Sequence, residues 1–181
     1  MASPELSATR GPDTIPDMPV TVTAPRGLAG LVRPLRAMVA EVLRAERRRA
    51  GEISLVLADD AFLRRINRDW RGIDRATDVI SFAYDERAAR PPVDSLAASP
   101  VCGDLLVSMD RVRAQSRRYR VTPGVELARL VAHGTLHLCG HDHARARERA
   151  RMRARERFVL GRAREEVRSI ERALGSATAS G

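Results

Sequence analysis

The spacing of hydrophobic positions predicts two strands and two helices in the first 70 residues. Valines and alanine alternate with threonines over 20–24, as in a half-buried strand, and 53–57 is a short apolar run suited to a second strand. Between them, apolar residues recur over 31–43 at the spacing of one helical face. A pair of aspartates then begins a second helix over 59–70, since aspartate is favoured at helix N-termini.

The same reasoning predicts two further strands and three helices in the rest of the chain. The apolar segments 78–83 and 104–108 have the length and composition of strands. Helical spacing follows over 109–120, over 123–138, where a proline suits the first turn, and from 144 to about 174. Strands and helices therefore mix without strict alternation.

These elements predict a single domain of the α+β (mixed α/β) class. We expect a small mixed sheet of about four strands packed with about five helices. The segments 1–17 and 175–181 are rich in small and polar residues, so we expect flexible N- and C-terminal tails around a domain at 18–174. The proline-rich segment 90–100 is expected to be a mobile flap.

The net charge of the chain bears on which class of partner it binds. The 181 residues include 32 basic and 23 acidic side chains, a net charge of +9, and every basic residue is arginine. Such an excess attracts polyanions, which makes nucleic acid the first partner to consider, although solubility alone explains the charge equally well.

Segments for targeting or membrane insertion are not evident in the sequence. No run approaches the roughly 20 apolar residues that cross a bilayer, and the N-terminal segment lacks the pattern of a secretory signal. The two cysteines, Cys102 and Cys139, are too few for a disulfide framework and are expected to be buried free thiols. We therefore expect a soluble, cytoplasmic protein.

All four histidines fall within eleven residues, from His133 to His143. His133 and His137 are four apart on a predicted helix, so both imidazoles lie on one face and can bind one ion. Gly140 can adopt the left-handed conformation that ends a helix, which would bring His143 back towards the same ion. The sequence predicts a metal site on a helix and the loop that follows it.

The histidine spacing is that of the long zinc-peptidase signature H-E-x-x-H-x-x-G-x-x-H. Three imidazoles leave one position of a tetrahedral ion open, as in catalytic zinc sites, so the predicted chemistry is hydrolytic. Gly134, however, stands where that signature has its glutamate general base, which argues against a peptidase. Asp142 either orients an imidazole or caps the turn, and both roles remain open.

Four segments together resemble the bacterial YbeY family of rRNA maturation factors, which are metal-dependent endoribonucleases. Residues 133–143 match its pattern H-G-x-L-H-L-x-G-[YH]-D-H, and 67–82 match N-x3-R-x2-D-x2-T-[DN]-V-[LI]-S-F. Residues 103–108 match G-D-[LIV]-x-[IV]-[ST], and Met152 and Glu156 have the family's M-x3-E spacing.

The resemblance implies one zinc ion held by His133, His137 and His143, and a cleft arginine, Arg71, that is important for RNA cleavage. It further implies a single-strand-specific endoribonuclease in small-subunit rRNA 3′-end maturation and ribosome quality control. The expected partners are single-stranded RNA, the small ribosomal subunit and assembly factors, with no DNA or membrane. His141 occupies a position where the family commonly has tyrosine, and we expect it to be an exposed loop residue.

Two alternatives remain open from the sequence. One is a zinc hydrolase of bonds other than those of RNA. The other is a non-catalytic ribosome-assembly factor with a structural zinc, for which His141 or Cys139 would be the fourth ligand. Arginine also stands at every second position from Arg145 to Arg157, which suggests an additional RNA contact surface or simply reflects the arginine bias.

Overall fold

The structure of the protein, a computed structural model, describes residues 19–84 and 100–179. The predicted N-terminal tail and nearly all of the predicted flap at 90–100 lie outside the described residues.

A four-stranded mixed sheet forms the centre of the fold. Its spatial order is β1-β2-β4-β3, in which the first three strands are parallel and β3 pairs antiparallel at one edge. The register pairs Val22 with Leu55 and Leu55 with Leu105. The strands are β1 (Val20–Thr23), β2 (Ala50–Ala58), β3 (Val79–Ala83) and β4 (Val101–Ser108).

Six α-helices lie in the described part of the chain, and a short 3-10 turn at Ala29–Leu31 precedes the first. Side chains of Asp59, Ser108 and Thr122 each accept a hydrogen bond from a backbone N–H in the first turn of the helix that follows. The helices are α1 (Val32–Ala45), α2 (Asp60–Arg71), α3 (Met109–Tyr119), α4 (Pro123–Leu138), α5 (Ala146–Arg162) and α6 (Arg164–Ala179).

The two faces of the sheet bury different helices. Along β4, Leu105 and Val107 contribute to the large core shared with α1, α3, α4, α5 and α6. The intervening Leu106 packs on the other face with Leu63 of α2 and Ile80 of β3. This alternation is the two-residue period of a strand buried on both sides, and it places α2 and α4 on opposite faces.

The prediction of one helix from 144 to about 174 is wrong, because the chain forms two helices that meet at the fully buried Ala163. A straight helix of that length would extend for about 46 Å, longer than a small domain, so the chain must turn to keep its apolar residues on the core. The described residues therefore form six helices around a four-stranded mixed sheet, which confirms the predicted α+β class. The last helix, α6, continues to Ala179, within the segment 175–181 that the sequence predicts to be a flexible tail.

Candidate metal centre

The end of α4 directs the chain back towards its own last turns. Gly140 has a φ of +94°, the left-handed conformation that glycine adopts without steric cost. Its N–H donates to the carbonyl of His137 at 2.8 Å, and the N–H of His141 donates to the carbonyl of Leu136 at 3.0 Å. This pair of bonds is a Schellman motif. The predicted helix end at Gly140 is confirmed.

Because of this turn, three histidines from the helix and the following loop converge. In the part of the chain that the structure describes, His133, His137 and His143 form the group that could hold a metal ion, with one nitrogen from each ring within 4.8 Å of the others. Ring centroids are 4.7 Å apart for His133 and His137, and 4.8 Å apart for His137 and His143. His143 is exposed, so the cluster is open to solvent on that side.

A carboxylate from α5 orients one of these rings. The Nδ1 atom of His133 lies 2.6 Å from Oε1 of Glu156, and both side chains are largely buried. Burial alone would raise the pKa of Glu156, but the hydrogen bond and charge of His133 outweigh it and hold that pKa below its usual range. A carboxylate at Nδ1 leaves Nε2 of His133 for a metal, as in many zinc sites.

Burial makes His137 a neutral ligand. Burial is the largest cause, and together with the charge interactions with His133 and His143 it lowers the pKa of His137 to about 4. At neutral pH the His137 ring is therefore uncharged and has a nitrogen lone pair available. Three imidazoles within this distance suit a divalent ion, since zinc binds histidine nitrogen at about 2.0–2.1 Å.

The other two polar residues of the loop bond elsewhere. Nε2 of His141 lies 2.8 Å from Oε2 of Glu46, the residue that follows α1. The His141 side chain is only 26% exposed, so the expectation of an exposed loop histidine is wrong. Spacing within the histidine segment could not predict this contact, because its partner Glu46 lies 95 residues earlier in the chain. Asp142 accepts a hydrogen bond from the N–H of His143 at 2.7 Å, which is the turn-capping role.

Cys139, the other residue considered as a fourth ligand, is buried at the end of α4. Burial raises the pKa of the Cys139 thiol to about 12, so it is protonated at neutral pH, whereas zinc binds the thiolate. With His141 bonded to Glu46, these observations favour three protein ligands and an open position over a closed structural site.

The state of Cys139 can be tested by alkylation. With a pKa near 12, the thiolate forms only as the pH approaches that value, so iodoacetamide at pH 8 should leave Cys139 unmodified in the folded protein. Mass spectrometry should find Cys139 modified only after denaturation. Rapid native labelling at Cys139 would contradict the protonated, buried thiol.

The missing base at position 134 has a structural cause. A Cβ atom at Gly134 would meet the side chain of Leu105, and it would lie 3.1 Å from Cγ2 of Val79. Position 134 therefore packs directly on the sheet. No side chain there can act as a general base, which agrees with the argument against a peptidase.

Arg71 lies apart from the histidine cluster. It is the last residue of α2, on the opposite face of the sheet from α4, and is exposed. Its Nη2 donates to the carbonyl of Ser81 at 3.3 Å, and its Cζ lies 5.5 Å from the ring centre of Phe82. Both contacts are on the edge strand β3, whose Val79 also lies against α4. The predicted cleft arginine and the predicted metal ligands thus flank the same strand.

Sequence reasoning gave no role to Glu156, and the following substitution tests the one we assign. Glu156→Gln should weaken zinc binding by about 10- to 100-fold, the usual effect of removing a carboxylate bonded to a metal-bound histidine. Competition with a chromophoric chelator measures this change. Glu165→Gln, at an exposed glutamate of α6 that pairs with Arg172, is the matched control and should bind zinc as the wild type does. Equal zinc affinity of both variants would contradict the role of Glu156.

Known proteins of one family are similar to this chain in sequence. A family model described as Endoribonuclease YbeY matches residues 27–164. A curated relative named Endoribonuclease YbeY, from Anaeromyxobacter sp. (strain Fw109-5), is 41% identical over 156 residues, 86% of this chain and 76% of the relative. Another of that name, from Pelotomaculum thermopropionicum, is 37% identical over 150 residues, 80% of this chain and 97% of the relative.

The fold also has a solved counterpart. The solution structure of a protein from Thermotoga maritima covers 81% of this chain and 92% of its own, with a TM-score of 0.50 and 22% identity. It supports the architecture alone. In the described residues, no helix combines the length and apolar character needed to cross a membrane.

Proposed function

Because this chain belongs to the YbeY family of endoribonucleases, we propose that it is a single-strand-specific, zinc-dependent endoribonuclease that acts in rRNA processing. Its substrate in this proposal is the 3′ end of small-subunit rRNA, and it contributes to ribosome quality control. The observation that carries the proposal is the cluster of His133, His137 and His143, with Glu156 bonded to the first of them.

The three histidines would hold the zinc ion through ring nitrogens. When bound, zinc supplies Lewis-acid chemistry, activating water or polarising a phosphate oxygen for hydrolysis of a phosphodiester. Glu156 keeps the ring of His133 in one orientation, and burial keeps His137 neutral. The exposed position of His143 supports access of a large substrate from that side.

Arg71 is proposed to bind the phosphate next to the scissile bond. A guanidinium is always charged and offers five N–H donors in a planar fork, a good match for phosphate oxygens. Only one of these donors has a hydrogen bond within the described residues, to the carbonyl of Ser81. The remaining donors are available to a substrate that reaches the edge of β3.

The proposed partners follow from this substrate. They are the small ribosomal subunit and its assembly factors, and the proposed site of action is the cytoplasm, where ribosomes are assembled in bacteria. The net charge of +9 supports binding to RNA phosphates. We propose neither DNA nor membrane as a partner.

Metal removal and restoration test the proposed function. Purified protein of measured zinc content is incubated with a single-stranded rRNA 3′ precursor and with the same sequence annealed to its complement. We expect cleavage of the single strand, loss of cleavage with chelator, and recovery when zinc is added back. A zinc-loaded protein that does not cleave, or cleavage that survives complete metal removal, would overturn the proposal.

A further inference from the structure

The alternating arginines of α5 are divided by the fold into two kinds. Arg149 donates to the carbonyls of His143 and Ala144, at 3.3 and 2.7 Å, and so holds the loop that carries a metal ligand. Arg155 pairs with the largely buried Glu46, which directly follows α1. These arginines have partners within the protein and contribute to its structure.

Four others are exposed and have no ion pair among the described residues: Arg147, Arg151, Arg153 and Arg157. They form two pairs, each with members four residues apart and thus on one helical face. With 3.6 residues per turn, the centres of the two pairs are about 120° apart around α5.

Only one of these pairs lies beside the metal centre. Arg153 is four residues after Arg149 and three before Glu156, so it shares a face with the two residues of α5 that contact the histidine cluster and its loop. Arg157 lies one turn farther along α5, four residues after Arg153 and next to it on the helix surface. Arg147 and Arg151 belong to the other flank.

We propose that Arg153 and Arg157 form a phosphate-binding track that guides single-stranded RNA along α5 into the metal centre. The inference rests on the proposed function, since it assumes an RNA substrate. Within the described residues the two guanidiniums have no ion pair, so binding phosphate breaks none there. The track is also held in place, because Arg155 pairs with Glu46 at the end of α1 and Arg162 pairs with Glu41 within α1.

Charge complementarity favours RNA as the occupant. One turn of helix separates the two arginines by about 6 Å along the axis, close to the phosphate spacing of an extended single strand. Contacts of this kind are independent of base sequence and depend steeply on salt. The track therefore predicts binding by backbone contact and little sequence preference.

Two double variants test the track. Arg153→Gln/Arg157→Gln removes the proposed pair, and Arg147→Gln/Arg151→Gln is the matched control. Each removes two charges from the same helix and lowers the net charge from +9 to +7. Binding of the zinc-loaded proteins to a labelled single-stranded 2′-O-methyl RNA is measured from low to high salt, with intactness of the oligonucleotide checked after each titration. Cleavage kinetics are measured separately on unmodified RNA.

We expect the Arg153/Arg157 variant to bind about 10- to 30-fold more weakly near 0.1 M salt, with a salt slope smaller by about 1.4, the value for two phosphate contacts. Its KM should rise with kcat unchanged, and the control should stay within about twofold of wild type in each measurement. Equal losses of RNA affinity in both variants would show that only net charge matters and would contradict the track. Unchanged RNA binding in both variants would also contradict the track. A variant that loses only its binding to a polyglutamate peptide would contradict it too, and would indicate an acidic protein partner.

The binding measurement separates the two proposals. If the protein does not cleave RNA but the Arg153/Arg157 variant alone loses affinity, the track stands and the endoribonuclease proposal fails. If the wild type cleaves RNA and both variants bind RNA as tightly as the wild type, the endoribonuclease proposal stands and the track fails.

Discussion

Replacing His137 with alanine is expected to lower kcat/KM for single-stranded RNA by at least about 10³-fold, because a three-ligand zinc site loses one protein ligand. His133 and His143 would remain, but they lie on different segments and hold an ion more weakly. Alanine is a good helix former, so α4 should remain folded. The checks are kcat/KM, zinc content by elemental analysis and the circular dichroism spectrum.

The matched control for this variant is His141→Gln. His141 lies in the same loop but bonds to Glu46, and glutamine preserves a donor for that contact. We expect it to keep zinc and to retain activity within about twofold. If His137→Ala instead kept one zinc per chain and full activity, the ion and the chemistry would have to lie elsewhere.

Arg71→Ala is expected to lower kcat by about 10²- to 10³-fold, the usual loss when a group that stabilises transition-state charge is removed. Zinc content should not change, because Arg71 lies outside the histidine cluster. Its side chain is exposed, so the free energy of unfolding should change by less than about 1 kcal/mol. Single-turnover cleavage and thermal unfolding measure these effects.

Two further substitutions define what Arg71 contributes. Arg71→Lys keeps the charge without the planar fork and should recover only part of the lost rate. Arg68→Ala removes the same charge from the same helix, at an exposed arginine that pairs with Asp69, and should stay within about twofold of wild type. A comparable loss in Arg68→Ala and Arg71→Ala would mean that the position of the guanidinium is unimportant.

The histidine cluster could be predicted from sequence because its geometry is local. A four-residue spacing fixes the faces of His133 and His137 within one helix, and Gly140 ends that helix within the same eleven residues. Each step depends on backbone geometry that the chain specifies over a few residues. The structure shows the helix, the left-handed Gly140 at its end and the approach of His143 to the other two rings.

Contacts across the chain could not be predicted in the same way. Glu156 reaches His133 only because α5 docks beside α4. His141 is less exposed than predicted because it bonds to Glu46, which is 95 residues earlier in the chain. The docking of α5 has a weak sequence signal, because Met152 and Val159 are its buried residues and arginines surround them. The turn at Ala163 could not be predicted either, because alanine is favourable within a helix and does not mark its end.

The close packing of α4 on the sheet limits which enzymes can descend from this scaffold. A glutamate at position 134 would complete a peptidase signature in the sequence, yet Leu105 and Val79 already occupy the space into which its side chain must extend. A single codon change therefore produces a packing defect rather than a new protease. Laboratory evolution towards peptide hydrolysis would first have to enlarge the space between helix and sheet, or recruit a base from a different element.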